Sequence, residues 1–347
     1  MAFPKIDELR VRVICMTYNQ ASFITDTLDG FAIQKTVFPF VCILLEDAST
    51  DGEPRVIKDY LSEHFDLADE AIVRREDTDD YELTFARHKT NHNCYFAAFL
   101  LKYNHYRKKS KVPYYEAWTR TVQYEAVCEG DDYWTDPQKL QKQVDYMESH
   151  PDCSLCFTNA LLHWEDNSGR PDKLFAPGIE DRDYQGPEMT EEWITPTASL
   201  LYRKSILDTD LYRQVNTNPK FKGIGDIPHV VSCLLFGKAH ALADVTCVYR
   251  RQPHGFMLSA DSNRKIILGD YRYAIYQVFG PEYLDSSVNR ALYHYRIGLF
   301  NARKEKNWRN WFKLVGRIVY VYLRHPISAG KRILKIYQEK KNRQSQG

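Results

Sequence analysis

The sequence predicts an α/β protein, a mainly parallel sheet flanked by helices, followed by a helical, basic C-terminal extension. Three observations predict it. Short apolar runs alternate with stretches of helical spacing over the first 160 residues, the pattern of successive strand–helix–strand units. The runs are continuously apolar rather than alternating, as expected of strands covered on both faces. Beyond about residue 260 the chain is mostly helix-spaced and increasingly basic.

Each element has a local reason. Val11–Met16 is a β-rich run and reads as the first strand. After Thr17-Tyr18-Asn19-Gln20, Ser22 is placed to cap a helix whose Phe23, Leu28 and Phe31 recur near helical spacing. Val41–Leu45 is a second strand. It stops in Glu46-Asp47-Ala48-Ser49-Thr50-Asp51-Gly52, which is turn chemistry, and Pro54 opens a helix through Tyr60. Ala71–Arg74 reads as a third strand, Asn93–Tyr103 as a helix, and Arg107–Lys111 as a basic loop. Tyr124–Cys128 is another strand, ending in Glu129-Gly130-Asp131-Asp132-Tyr133-Trp134. Asp136-Pro137 then starts a helix with an N-cap and a first-turn proline, its stripe being Leu140, Val144 and Met147 and its end near His150-Pro151. Ser154–Phe157 and Ser199–Tyr202 are further strands, separated by a polar stretch, Asp166–Pro187, punctuated by Pro and Gly. No internal repeat is evident.

Composition narrows the class. Of 347 residues 44% are apolar and 27% charged, which excludes collagen-like, low-complexity and wholly disordered chains. The net charge of +1 hides an asymmetry. Residues 301–347 hold 13 Lys and Arg against Glu305 and Glu339, a charge of +11, so residues 1–300 carry −10. Eight cysteines are too few for a disulfide scaffold, and Cys15, Cys42 and Cys128 lie inside apolar runs. Cys153-Ser-Leu-Cys156 has metal-pair spacing but no second ligand pair follows, so it reads as two thiols on a buried strand. The N-terminus lacks the charged and apolar regions of a signal peptide. The apolar stretch Trp311–Leu323 is broken by Lys313 and Arg317 and falls short of the roughly 20 residues of a membrane span. These features place the chain in a reducing, cytoplasmic setting.

Ligands of open α/β sheets bind beyond the carboxyl ends of the strands, where strand order reverses. Two acidic clusters follow apolar runs directly: Glu46-Asp47 and Asp131-Asp132. Adjacent carboxylates at a strand end suit Mg²⁺ or Mn²⁺, which prefer carboxylate oxygens together with phosphate oxygens of a substrate. In isolation the same acids read as solvated turn residues. Asp226, between Gly225 and Ile227-Pro228, reads as a helix N-cap or as a general base.

The three motifs in order, Met16-Thr17-Tyr18-Asn19-Gln20, Glu46-Asp47-Ala48-Ser49-Thr50-Asp51-Gly52 and Glu129-Gly130-Asp131-Asp132-Tyr133-Trp134, resemble the family-two glycosyltransferases, inverting enzymes of the GT-A fold that use nucleotide-diphosphate sugars. The resemblance covers roughly residues 10–255. It implies a GT-A domain over 1–260, with a donor-binding half to about 135 and an acceptor and catalytic half over 136–260, followed by the extension 261–347. It also implies roles. Tyr18 stacks on the nucleotide base, Asp47 contacts base or ribose, Asp131 holds the donor ribose or sugar, and Asp132 ligates the metal, Mn²⁺ or Mg²⁺. Asp226 stands where the family carries its catalytic base. Val248-Tyr249-Arg250-Arg251-Gln252-Pro253-His254 resembles the family's Tyr-Arg-x-His stretch, but Gln252 occupies the His position and His254, two residues on, is the substitute metal or phosphate contact. Arg250 and Arg251 read as phosphate contacts or surface charges. Relatives place donor-binding polar residues near Thr90–Asn93, and Trp134 and Trp193–Thr197 border an acceptor pocket or fill the core.

The function so implied is transfer of a sugar, with a UDP-sugar favoured as donor, to a glycan or lipid-linked acceptor hydroxyl in cell-surface polysaccharide or lipopolysaccharide synthesis. Two other readings exist. A sugar nucleotidyltransferase normally brings a Gly-rich phosphate loop near its N-terminus, and Thr17–Gln20 offers none. A catalytically inactive, membrane-associated relative is the other, and the presence of all four acids argues against it. In the tail, Trp308, Trp311, Phe312, Val315, Ile318, Val319, Tyr322 and Leu323 recur among Lys and Arg. That pattern fits peripheral contact with an anionic membrane, at its cytoplasmic face, or a helix packed on the body. No recognised nucleic-acid module accompanies the charge.

Overall fold

The computed structural model describes residues 9–106, 108–166, 169–221, 226–252 and 261–331. They form two compact units that are not contiguous in sequence. The first comprises residues up to Asp183 together with Ile194–Thr209 and Phe236–Gln252. The second comprises Tyr184–Trp193, Asp210–Leu235 and the chain from Pro253. Residues 184–193 and 210–235, read from the sequence as part of the body, thus belong with the C-terminal helices.

The first unit is a twelve-stranded sheet with helices. Its elements run β1 Val11–Thr17, α1 Ile24–Ala32, β2 Phe40–Glu46, α2 Glu53–His64, β3 Arg74–Asp77, β4 Tyr81–Arg87, β5 Cys94–Leu101 and α3 Val112–Thr119. They continue with β6 Tyr124–Val127, β7 Tyr133–Trp134, α4 Lys139–Ser149, β8 Cys153–Trp164, β9 Lys173–Leu174, β10 Arg182–Tyr184, β11 Leu201–Arg203 and β12 Lys238–Arg251. Along the sheet the order is β10-β12-β8-β11-β6-β1-β2-β5-β4-β3, with β7 on β12 and β9 on β8. β6, β1, β2 and β5 are mutually parallel, and β8 is parallel to β12, whereas β11, β3 and β4 pair antiparallel. From β1 the chain builds outward through β2 and β5, then returns to place β6 on β1's other side. The order therefore reverses between β1 and β6, a switch point of the kind at which open sheets bind ligands.

Period-two alternation fills both faces. Val11, Val13, Cys15, Cys42 and Leu44 join Leu28, Phe31, Ile57, Leu140, Val144 and Met147 of α1, α2 and α4 in one core. Ile14, Val41, Ile43, Leu45 and Phe99 join Phe85 and Tyr115 in the other. All seven residues of β2 are buried, which is why that segment reads as an unbroken apolar run.

Several expectations are corrected. Residues 93–103 do not form a helix: Cys94–Leu101 is β5, and Asn93 and residues 102–103 lie outside it. Its run of Phe, Ala and Leu is buried between β2 and β4, and a short apolar run has no periodicity that separates helix from strand. The third strand starts at Arg74, where the Ala71–Arg74 run ends. Ser22 does not cap α1. The turn is closed by the backbone, with the N–H groups of Phe23 and Ile24 donating to the Gln20 carbonyl. Asp136 sits three residues ahead of α4 and does not cap it: its carboxylate accepts from the Gln138 N–H at 2.8 Å and from Lys142 Nζ at 2.9 Å, and the helix starts at Lys139. Trp134 is core. Its indole N–H donates to the Ala198 carbonyl at 2.7 Å, and α1 crosses the strand so closely that a Cβ on Gly30 would stand 2.7 Å from the Trp134 backbone nitrogen. Cys153 and Cys156 are buried free thiols on β8, as expected, and burial pushes Cys153 up to about 11.

The second unit is helical: α5 Gly186–Glu191, α6 Asp210–Asn216, α7 Asp226–Leu234, α8 Ser262–Phe279, α9 Leu284–Lys304 and α10 Trp308–Arg324. α8 and α9 meet closely enough that a Cβ on Gly269 would lie 2.2 Å from the Tyr295 ring. Leu314 and Val321 of α10 close that core against Val288, Ala291 and Leu292. A second cluster joins Phe221, Ile227, Val231, Tyr271, Ile275 and Phe279. Among the described residues, no helix is long and apolar enough to cross a membrane.

Candidate functional site

The loops that follow β1, β2 and β6 leave the sheet at the carboxyl ends of parallel neighbours, with Thr17 opposite Glu46 and Ile14 opposite Val127 in register. Glu53, fully buried in the first turn of α2, ties the first two loops together. Its carboxylate accepts from the Thr17 hydroxyl, from the Gln20 N–H at 3.0 Å and from Ser49 Oγ at 2.8 Å. Asn19, at φ 55°, and Ala48, at φ 61°, turn the two loops, and Asn19 Oδ1 accepts from the Thr50 N–H at 2.8 Å. On the rigid loop after β1, Tyr18 stands exposed.

The loop after β6 approaches this network without room for a side chain: a Cβ on Gly130 would stand 2.2 Å from Thr17 Oγ1 and 2.5 Å from Gln20 Oε1. Thr27 of α1 holds it from the other side, its hydroxyl shared between the carbonyls of Gly130 at 2.9 Å and Asp132 at 2.7 Å. Asp131 and Asp132 emerge here. Asp131 Oδ2 accepts from Gln252 Nε2 at 2.8 Å. Burial raises the Asp131 carboxyl despite the amides of Gln252 and Gln20. Asp132 is 1% exposed; its Oδ1 accepts from the Arg250 N–H at 2.9 Å, and among the described residues its Oδ2 has no hydrogen-bond donor. Burial, followed by the charge of Asp131, lifts Asp132 well above the ordinary carboxylate range. A buried carboxylate with one oxygen unsatisfied demands either a proton or a cation.

The guanidinium of Arg250 is not a surface charge. It is buried, its Nε on Glu165 at 2.9 Å, its Nη1 on the Asp131 carbonyl at 3.0 Å and its Nη2 on Asp26, and it lies 4.3 Å over the Tyr133 ring. Its role is to hold the acidic loop from β12. Gln252, which stands where the resemblance expects a histidine, is the amide that fixes Asp131. His254 lies outside the described residues. Asp226 is described, exposed in the first turn of α7 in the second unit.

Asp47 differs from Asp132 in being fully occupied by protein. Its carboxylate accepts from the His105 N–H at 2.7 Å and from Lys111 Nζ at 2.8 Å, and Asn104 donates to its carbonyl at 3.1 Å. Lys111 and His105 belong to the segment between β5 and α3, and no local motif marked either as a partner. Thr90–Asn93 lies at the opposite end of the strands, just before β5. Asn91 Nδ2 donates to the carbonyls of Ala32 and Gln34, both at 2.8 Å, and Asn93 Nδ2 to that of Thr36 at 2.6 Å. A groove of about 1050 Å³ also opens at that end, lined by Ile33–Val37, His64, His88 and Asn91. It lacks the paired acids of the switch point.

Two carboxylates, from Asp131 and Asp132, are the fit this site offers a hard divalent ion. Among the described residues no group of three or more His, Cys, Asp or Glu side chains is arranged to hold a metal ion, so the remaining ligands of such an ion would be phosphate oxygens and water, the usual division for Mg²⁺.

No family model matches the chain. Proteins of Mycobacterium bovis and Mycobacterium tuberculosis, described as uncharacterized proteins Mb1547 and Rv1520, are 31% identical over 253 residues. That match covers 73% of this chain and 62% of theirs, so the chain spans less than two thirds of the length of these relatives. Among solved structures, Staphylococcus aureus TarS 1–349 in complex with UDP-GlcNAc superposes with a TM-score of 0.56 at 15% identity, over 90% of this chain and 81% of that one. TarS 1–349 also superposes at 0.50 and 12% identity, over 88% and 90%. The fold is shared with TarS. The mainly parallel sheet flanked by helices, expected from the alternation of apolar runs and helical stretches, is the architecture present.

Proposed function

We propose that the protein is a metal-dependent, inverting glycosyltransferase that moves a sugar from a nucleotide-diphosphate donor to a hydroxyl of a glycan or glycolipid acceptor. The observation that carries this reading is the unsatisfied Asp132 Oδ2 beside Asp131 at the switch point of a fold shared with a protein crystallised with UDP-GlcNAc. Asp132, with Asp131, is positioned to hold Mn²⁺ or Mg²⁺ against a diphosphate, and such an ion supplies charge neutralisation for the departing nucleoside diphosphate. Exposed Tyr18 offers a face for the nucleotide base, and Asp47 serves the donor side through the Lys111 and His105 that it holds. A UDP-sugar is the favoured donor. His254 is kept as a further metal or phosphate contact on the strength of the sequence alone.

Asp226 is assigned as the base. In the reaction the acceptor oxygen bonds to the anomeric carbon as the bond from that carbon to the diphosphate oxygen breaks, and the hydroxyl proton passes to the Asp226 carboxylate. A positioned carboxylate contributes about 10²–10⁴-fold by this route. The setting proposed is synthesis of cell-surface polysaccharide or lipopolysaccharide, in the cytoplasm, and the free state of all eight buried cysteines fits a reducing compartment.

Release of nucleoside diphosphate from a panel of UDP- and GDP-sugars with Mn²⁺ and a mixture of glycan and glycolipid acceptors tests the reading. Turnover with one donor is expected, falling at least 10²-fold in Asp226→Asn while the variant still binds the nucleotide. Turnover that survives Asp226→Asn removes the base assignment, and no turnover with any pair removes the transferase reading.

A further inference from the structure

α10 has two apolar faces, and the fold uses one of them. Leu314 and Val321 are buried, and Trp311, Ile318 and Tyr322 pack beside them onto α8 and α9. These positions recur at three and four residues, a complete inward stripe. A second stripe at the same spacing points away from that core. Trp308 is 57% exposed, Phe312 67% and Leu323 80%, with Val319 between them, and Ile327, 77% exposed, follows in the next helical segment. An ordinary packed helix presents polar residues on this side.

What flanks the outward stripe selects its partner. Arg309, Lys313, Arg317 and Arg324 are all exposed, and α10 contains no acid. Arg317 is partly engaged, with Asp270 at 2.9 Å, while Asp270 also accepts from Tyr295. Near the end of α9, Phe300 is exposed and Lys304 Nζ lies 4.7 Å over its ring. The sequence after the described residues, 332–347, adds five more Lys and Arg against one Glu. Exposed Trp and Phe interleaved with arginine and lysine, with no acid in the helix, complement an apolar layer lying just beneath phosphate groups. A second copy of the chain would set like charges against each other.

We propose that the outward face of α10 binds the surface of a bilayer containing anionic lipid, with Trp308, Phe312, Val319 and Leu323 entering at headgroup level and Arg309, Lys313 and Arg324 meeting phosphates. The helix lies in the interface plane and does not cross. This surface stands independently of the transfer reaction, although it suits an acceptor carried on lipid.

The full chain is sedimented with phosphatidylcholine vesicles, with and without phosphatidylglycerol. Binding to the anionic vesicles at least about tenfold tighter than to the neutral ones is expected, weakening steeply with salt. The double variant Phe312→Ser/Leu323→Ser changes only exposed side chains and should lose about tenfold or more in vesicle binding while keeping its far-ultraviolet circular dichroism. The triple variant Arg309→Gln/Lys313→Gln/Arg324→Gln should lose the salt dependence, and it supplies the reading if the double variant misfolds. Full chain that stays in the supernatant with phosphatidylglycerol present, or variants that bind like the parent, overturns the proposal. So does a parent that is dimeric in solution while the double variant is monomeric, since a second copy then covers the face.

Discussion

The two units differ in the titratable groups that burial perturbs most. In the sheet unit the perturbed groups at the site are carboxylates: Asp131, Asp132 and Glu46 are all raised, burial being the first cause in each. In the helical unit they are two histidines and an arginine. Burial lowers His294 to about 3 and His229 to about 4, and Arg272 falls to about 10 while donating to the Thr190 carbonyl at 3.0 Å. Buried imidazoles held neutral are ordinary core members. A buried acid with an unsatisfied oxygen beside a half-buried one has no such structural explanation, and the pair sits at the switch point where this class of sheet binds ligands. The difference separates a candidate site from a packed interior.

Arg250 is the strongest lever on that difference, because its backbone N–H and its guanidinium hold Asp132 and Asp131 while the same guanidinium pairs with Glu165. Arg250→Met leaves Glu165 and Asp26 facing each other near Asp131. Both acids retain some solvent, so the loss lies at the low end for a broken buried pair, about 3 kcal/mol. Urea unfolding followed in the sheet unit measures it, and a loss under about 1 kcal/mol means that the loop is held by something else.

Acid should act on the two units in opposite directions. A histidine lowered in the fold contributes stability that is present above its unfolded value of about 6.5 and is lost as pH falls toward the folded value. At about pH 5, His294 and His229 together cost the helical unit a few kcal/mol, about 2 each. The raised carboxylates of the sheet unit run the other way: their burial in charged form costs stability at neutral pH, and that cost is relieved as pH falls through their raised values. Asp136 and Glu116, held low by neighbouring Lys and Arg, reverse this only below their unfolded values near pH 4. His88 in the sheet unit is lowered like the buried histidines but is partly solvated. Limited proteolysis near pH 5 should therefore cut first in α7–α9. Cleavage that begins around β1 and β2 contradicts the comparison.

What was legible in the sequence follows the range of the interaction. β1, β2 and β6 are marked by continuous apolar runs, and Asp131-Asp132 by their place directly after one. Cys94–Leu101 was legible as apolar but not as a strand, since neither spacing nor flanking residues distinguish the two states in so short a run. α3 was hidden because Val112–Thr119 buries only Tyr115 and Thr119, too few positions for a stripe. The partners that define the site act across the chain. Arg250 reaches Asp132 over 118 residues and Lys111 reaches Asp47 over 64. No local spacing encodes those meetings, so the contrast between an occupied Asp47 and an unsatisfied Asp132 emerges only from the fold. The doubly apolar α10 was legible as a pattern, and the structure divides it into an inward and an outward stripe.

The central claim is that Asp132 accepts a divalent cation together with a nucleoside diphosphate. Thermal unfolding of the parent and of Asp132→Asn, each with Mn²⁺ alone, UDP alone and both, tests it most directly. A ligand that binds only the folded chain raises the midpoint in proportion to ln(1 + [L]/Kd). The account predicts a rise for the parent with both ligands that exceeds the sum of the separate rises, and loss of that excess in Asp132→Asn, which remains folded. An equal excess in the variant, or none in the parent with any nucleoside diphosphate, contradicts it.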